Sequence, residues 1–187
     1  RRQALVSKPR PLVVMTPKSL LRLPAATSTF EELWGGRFER VLDDTSLTDR
    51  EKVTKLVLCS GKVYYDIVGH EDRPKADHIA VARVEMIYPF PDNDISELMA
   101  SYPNLDRVVW VQEEPRNMGA RAFMRRRMAA ILPEKLHYYY VGRQLRAAPG
   151  EGYTAAHRKE QGRIVRVALD LEDDVLEPDR SAERPRL

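Results

Sequence analysis

The residues best able to do chemistry stand together at Gln112-Glu113-Glu114-Pro115, directly after the apolar run Val108-Val109-Trp110-Val111. Four apolar residues in a row predict a strand buried on both faces of a parallel sheet. Two adjacent carboxylates are too costly to enclose there without partners. They belong at the strand's carboxyl end, where open α/β sheets carry their functional loops. Such a pair suits cation binding, acid–base exchange, or hydrogen bonds from a neighbouring helix or subunit. Pro115 holds Glu114 in an extended backbone, which favours a fixed carboxylate. No histidine or nucleophile neighbours the pair in sequence, so a structural or interface role is favoured over catalysis.

A second candidate is Ser60-Gly61-Lys62, which follows the apolar run Lys55-Leu56-Val57-Leu58-Cys59 and opens a helix. Backbone N–H groups, a helix dipole and an ammonium converge there, as an anion requires. The segment is no Walker loop: Leu56 stands where the first glycine belongs, and Val63 where Ser or Thr must follow Lys62. An ordinary strand-to-helix turn needs the same residues, and that plainer reading is preferred. His70, His78, His137 and His157 form no metal-ligand spacing, so no metal site is expected. Cys59 reads as an inert core thiol. Arg125-Arg126-Arg127 reads as a solvated helix face, and Tyr138-Tyr139-Tyr140 as strand packing with two rings on one side.

Strands alternating with helices must hold these groups. Strands are expected at Leu56, Val81, Val109 and Tyr139, from residues 55–59, 79–84, 108–111 and 137–143. Helices are expected after Gly61, after Asp92-Asn93-Asp94, over 117–132 and over 154–170. The third of these should bury Ala122, Phe123, Met128, Ile131 and Leu132. The pattern predicts a three-layer, mostly parallel α/β fold with crossover connections. Upstream, Pro11-Leu12-Val13-Val14-Met15 reads as a short strand, Thr16 as an N-cap, and Thr29 as the cap of a short helix with an acidic first turn. Residues 37–50 read as a surface connection.

The 187 residues suffice for one domain with a real core and spare length. Three divisions are expected: a linker over 1–50, an α/β domain over 51–171, and a charged, disordered tail over 172–187. The chain opens on Arg1, close to strand-like residues, and reads as a C-terminal piece of a longer polypeptide. A net charge of +3 gives little to hold a nucleic acid, and none is expected as a partner. No apolar run reaches the roughly 20 residues that span a bilayer. One cysteine rules out an internal disulfide and fits a reducing compartment.

Three ordered segments resemble the C-terminal region of the decarboxylating component of 2-oxoglutarate dehydrogenase, a thiamin-diphosphate enzyme family. The first is Pro11 to Arg22, with Ala25, Ala26 and Ser28. The second is Cys59-Ser60-Gly61-Lys62-Val63-Tyr64-Tyr65-Asp66, then Ala82 to Pro91. The third is Val109 to Ala120, then Gly142-Arg143, Pro149, Gly152, His157 and Glu160-Gln161. Leu23 departs from a frequent His, Arg121 from a usual Trp, and Gln144-Leu145-Arg146-Ala147 from a Ser/Ala-rich loop.

The resemblance implies a transketolase-type C-terminal domain. It also implies the oxidative decarboxylation of 2-oxoglutarate in the tricarboxylic acid cycle, with succinyl transfer to lipoamide. Thiamin diphosphate and Mg²⁺ are then held by upstream domains at a dimer interface, and this piece holds no cofactor and no catalytic residue of its own. The implied partners are those upstream domains, a second copy, and a lipoyl-bearing succinyltransferase. The implied location is cytoplasmic, or the mitochondrial matrix in a eukaryote. Actinobacterial members use this domain for acetyl-CoA, so an effector such as acetyl-CoA or AMP is a further expectation. Its candidate ligands are Arg22, Ser60, Lys62, Gln112, Glu113, Glu114 and Arg143. The competing readings are a freestanding α/β module that binds a CoA-like or nucleotide anion, and an interaction domain with no ligand.

Overall fold

A computed structural model describes residues 2–173. The expected tail lies outside the described residues from 174 onward. The chain divides into two units, Arg1–Gly36 and Arg37–Leu187.

In the first unit, helix α1 (Arg2–Leu5) precedes two 3-10 turns, Lys18–Arg22 and Pro24–Ala26, and helix α2 (Phe30–Gly35). Thr29 caps α2 as its sequence predicts: its hydroxyl accepts from Glu32 N, and the Glu32 carboxylate accepts from Thr29 N at 2.7 Å. The predicted strand at 11–15 is absent. Those residues have no regular structure, and Leu12 to Met15 are 69–91% exposed. The described sheet pairs only residues from Val41 onward. A β-prone tetrapeptide without a ladder partner leaves its backbone to solvent, whatever its propensity. Pro17, not Thr16, stands at the N-cap of the first 3-10 turn.

The second unit is built on five strands: β1 (Val41–Leu42), β2 (Lys55–Cys59), β3 (Ile79–Val84), β4 (Arg107–Pro115) and β5 (His137–Arg143). Their order is β1-β3-β2-β4-β5. β3, β2, β4 and β5 run parallel, and β1 pairs antiparallel with β3 at the edge. The parallel strands start in step, since Lys55 lies opposite both Ile79 and Arg107, and Arg107 opposite His137. Helices α3 (Lys62–Val68), α4 (Asp92–Ala100) and α5 (Arg121–Ile131) make the crossovers, and α6 (Thr154–Ala168) follows β5 and packs back on the sheet.

Alternation along each strand divides the core into two layers. Leu56, Leu58, Val108, Trp110 and Tyr138 face α4 and α5, whereas Val57, Cys59, Val109, Val111 and Val141 face α3 and α6. Each fully buried aliphatic side chain contributes roughly 1.5–3 kcal/mol. Cys59 is wholly enclosed, its thiol 3.7 Å from the Ala82 carbonyl, and burial pushes its pKa far up. α5 begins at Arg121 rather than 117, and its buried stripe is Arg121, Met124 and Met128. Ala122 is exposed, and Phe123, Ile131 and Leu132 are half-buried. The late start follows from the turn at Pro115–Gly119, where Gly119 takes a φ of +65°.

Two buried ion pairs fasten this unit. Asp44 lies within the stretch expected as a surface connection, yet its side chain is 4% exposed. It accepts from Arg73 at 2.6 Å and from Val81 N at 2.9 Å. At the amino ends of the strands, the enclosed Lys55 ammonium donates to Val167 O at 3.2 Å and to Asp170 at 2.7 Å. Asp170 also accepts from Arg107 at 2.6 Å and meets His78 at 3.3 Å. Burial alone would raise both carboxyl pKa values. Hydrogen bonds and the facing cations outweigh it, and both fall below the usual 3.8.

Unfolded Asp44 and Asp170 therefore take up protons before the folded ones do as pH falls. The stability they supply is complete above about pH 5, and it drains as pH drops through the unfolded value toward the folded ones. Asp170→Asn leaves the Lys55 charge buried and should cost about 2–4 kcal/mol at pH 7 in urea unfolding. The deficit against the parent should shrink as pH is taken below 4.

Candidate functional site

β2, β4 and β5 end on the same edge of the sheet, and the charged residues there converge. Gly61 turns the chain out of β2 with a φ of +74°, which places Lys62 in the first turn of α3. One turn on, Asp66 takes the Lys62 ammonium. From α6, Gln161 reaches over both elements. Its Nε2 donates to Asp66 at 2.8 Å and to Glu113 at 2.9 Å. Its Oε1 accepts from Arg143 at 3.2 Å. One neutral amide thus separates two carboxylates that would otherwise repel each other.

Arg143, the last residue of β5, is the hub. Its guanidinium donates to the Glu113 carbonyl and, at 3.2 Å, to His157 Nδ1. An accepting Nδ1 puts the His157 proton on Nε2. Glu151 lies 3.4 Å from Arg143 Nε and 2.7 Å from Arg146. Beside this network, a shallow hollow of about 310 Å³ is lined by Lys62, Asp66, His70, His157, Arg158, Gln161, Gly162 and Val165. Burial raises the Glu113 carboxyl above its usual 4.5, partly countered by the Lys62 charge.

Of the sequence candidates, Lys62, Glu113 and Arg143 are brought together. Ser60 is half-buried at the end of β2. Gln112 points to the opposite layer, where its amide accepts from Trp110 Nε1 at 2.9 Å and donates to Met118 O at 2.8 Å. It staples the turn that leads into α5. Glu114 is exposed. Arg22 is exposed at the end of a 3-10 turn in the first unit. Lys62 is already engaged by Asp66, so no open ammonium faces an anion at Ser60-Gly61-Lys62.

Asp66, Glu151, His157 and Gln161 were not among the candidates. The four-residue spacings Lys62/Asp66 and His157/Gln161 put each pair on one helix face, a signal present in the sequence. Glu151 offered no local signal. The cluster carries carboxylates, guanidinium groups, an ammonium, an imidazole and an amide, but no hydroxyl or thiol nucleophile. Among the described residues, no group of three or more His, Cys, Asp or Glu side chains could hold a metal ion. None of the described helices is long and apolar enough to cross a membrane. What the arrangement offers chemically is recognition of a polar or anionic group.

A mostly parallel sheet between two helical layers is consistent with a transketolase-type C-terminal α/β domain. Residues 27–169 match the model of the family described as 2-oxoglutarate dehydrogenase C-terminal, and the chain belongs to that family. It is 47% identical over 175 residues to the 2-oxoglutarate dehydrogenase E1 component of Bacillus subtilis (strain 168), covering 90% of this chain and 18% of that protein. The protein of the same name from Azotobacter vinelandii is 44% identical over 174 residues, covering 91% and 18%. That from Coxiella burnetii (strain RSA 493 / Nine Mile phase I) is 41% identical over 173 residues, again covering 91% and 18%. The chain thus spans 18% of the length of these curated relatives.

In a carboxyl-resolved NMR titration, Glu113 should titrate above the ordinary 4.5. Because the Lys62 charge lowers that value, Lys62→Ala should move the Glu113 midpoint further up.

Proposed function

We infer that this chain is the C-terminal part of a 2-oxoglutarate dehydrogenase decarboxylating component. That enzyme oxidatively decarboxylates 2-oxoglutarate and passes the succinyl group to lipoamide. The observation that carries the reading is close similarity along nearly the whole chain to proteins of that name, of which it spans 18%. A surface feature supports it. Leu12 to Met15, Phe30, Leu33 and Trp34 are all 69–91% exposed, more large apolar side chains than a free-standing unit of this size would leave to water. Upstream domains and a second copy are the proposed cover, and a lipoyl-bearing succinyltransferase the proposed acceptor partner.

Thiamin diphosphate, with Mg²⁺, would supply the carbanion chemistry of such an enzyme. The described residues do not fit that group. Asp66, Glu113 and Glu151 are each engaged by Lys62, Gln161 or an arginine, and no metal-ligand set assembles. The cofactor is therefore assigned to the rest of the longer protein, and no step of the reaction is routed through this chain. The role proposed for the domain is to complete the dimer and to carry an effector anion, such as acetyl-CoA or AMP, at the Arg143 edge. The guanidinium cluster and the adjoining hollow support that assignment.

The full reading frame should decarboxylate 2-oxoglutarate with thiamin diphosphate and Mg²⁺, and deletion of residues 37–173 should abolish it. The 187-residue chain alone should show no turnover, and measurable turnover would overturn the reading. In calorimetry, acetyl-CoA or AMP should bind the chain, and Arg143→Gln should weaken that binding about tenfold.

A further inference from the structure

Between β5 and α6, residues 144–153 form a surface loop whose members are all exposed except Glu151. The Glu151 side chain turns inward and is 5% exposed, against an Arg143 side chain that is 4% exposed. Its two oxygens are divided between two guanidinium groups, 2.7 Å to Arg146 and 3.4 Å to Arg143. The second contact is an ion pair without a hydrogen bond, since Arg143 Nε and Glu151 Oε1 are both buried with no hydrogen-bond partner. A carboxylate therefore sits in a two-arginine fork that it fills loosely.

The two ends of this loop are held unequally. Arg146 is fixed by Asn117, which donates to its carbonyl at 2.9 Å and accepts from its N–H at 3.1 Å. No backbone hydrogen bond among the described residues holds 147–152. Glu151 is flanked by Gly150 and Gly152, neither of which has any atom within 4 Å of where a Cβ would lie. The fork is anchored while the carboxylate rides on a pliant arm. Paired guanidinium groups match phosphate better than a lone carboxylate, because phosphate brings more charge and a third oxygen.

We propose that Glu151 is an internal competitor: it occupies the Arg143–Arg146 fork, and a phosphate group entering that fork expels it and frees the 147–152 segment. This rests on the anion site assigned to the Arg143 edge above and gives that site its regulation. Only the fraction of molecules with Glu151 withdrawn is competent to bind, so apparent affinity is reduced by that fraction.

Inorganic pyrophosphate is the probe, titrated calorimetrically into the full 187-residue chain. Glu151→Gln should bind it about tenfold more tightly than the parent, because the competing charge is gone. Adding Arg146→Gln to that variant should cancel the gain. In the parent, pyrophosphate should speed hydrogen–deuterium exchange of 147–152, a readout independent of any variant. Equal affinities for the parent and Glu151→Gln, or unchanged exchange on binding, would overturn the competitor while leaving the anion site in place. Absence of pyrophosphate binding by both proteins would overturn the anion site and the competitor with it.

Discussion

A strand buried on both faces has nowhere to put a charge except at its ends. β2 and the first five residues of β4 meet this constraint at the centre of the sheet, and the rest of the second unit is arranged around it. Their side chains are divided between two apolar layers, so polar groups collect at the two edges. The amino edge carries Lys55, Arg107, His78 and Asp170, a closed arrangement in which one carboxylate faces three basic groups. The carboxyl edge carries Lys62, Glu113, Arg143 and their partners, which adjoin an open hollow. The same physical rule thus produces a clamp at one end and a recognition surface at the other.

The carboxyl edge is balanced by a neutral group. Asp66 and Glu113 lie on different elements, and each is bound to the same Gln161 nitrogen. An amide can donate to both and still accept from Arg143, which neither a carboxylate nor an ammonium could do. Burial raises the Glu113 carboxyl, and the Lys62 charge and the Gln161 donor both pull against it.

Much of the architecture was legible from sequence because it depends on local patterning. The runs 55–59, 79–84, 108–111 and 137–143 are strands, and the helices between them lie close to their expected places. Tyr138 and Tyr140 share one layer, as strand alternation demands. The failures share a cause. Residues 11–15 have strand composition but no neighbour, and composition does not supply one. Met124, one helical turn before Met128, lies on the buried face of α5 where Ala122 was expected. Asp44 was hidden in a polar stretch, and its burial depends on Arg73, almost thirty residues away. Half of the candidate site was equally out of reach. Glu113 and Lys62 announced themselves by position, whereas Gln161 and Glu151 act only through contacts across the fold.

Cys59 is the sole cysteine of the chain, and it is sealed between β3 and the α3–α6 layer. Its thiol is inaccessible to an alkylating or oxidising reagent while the sheet is closed. Modification must wait for the central strands to part. The protein therefore contains a native label whose capture rate measures how often its interior opens, without any engineered probe.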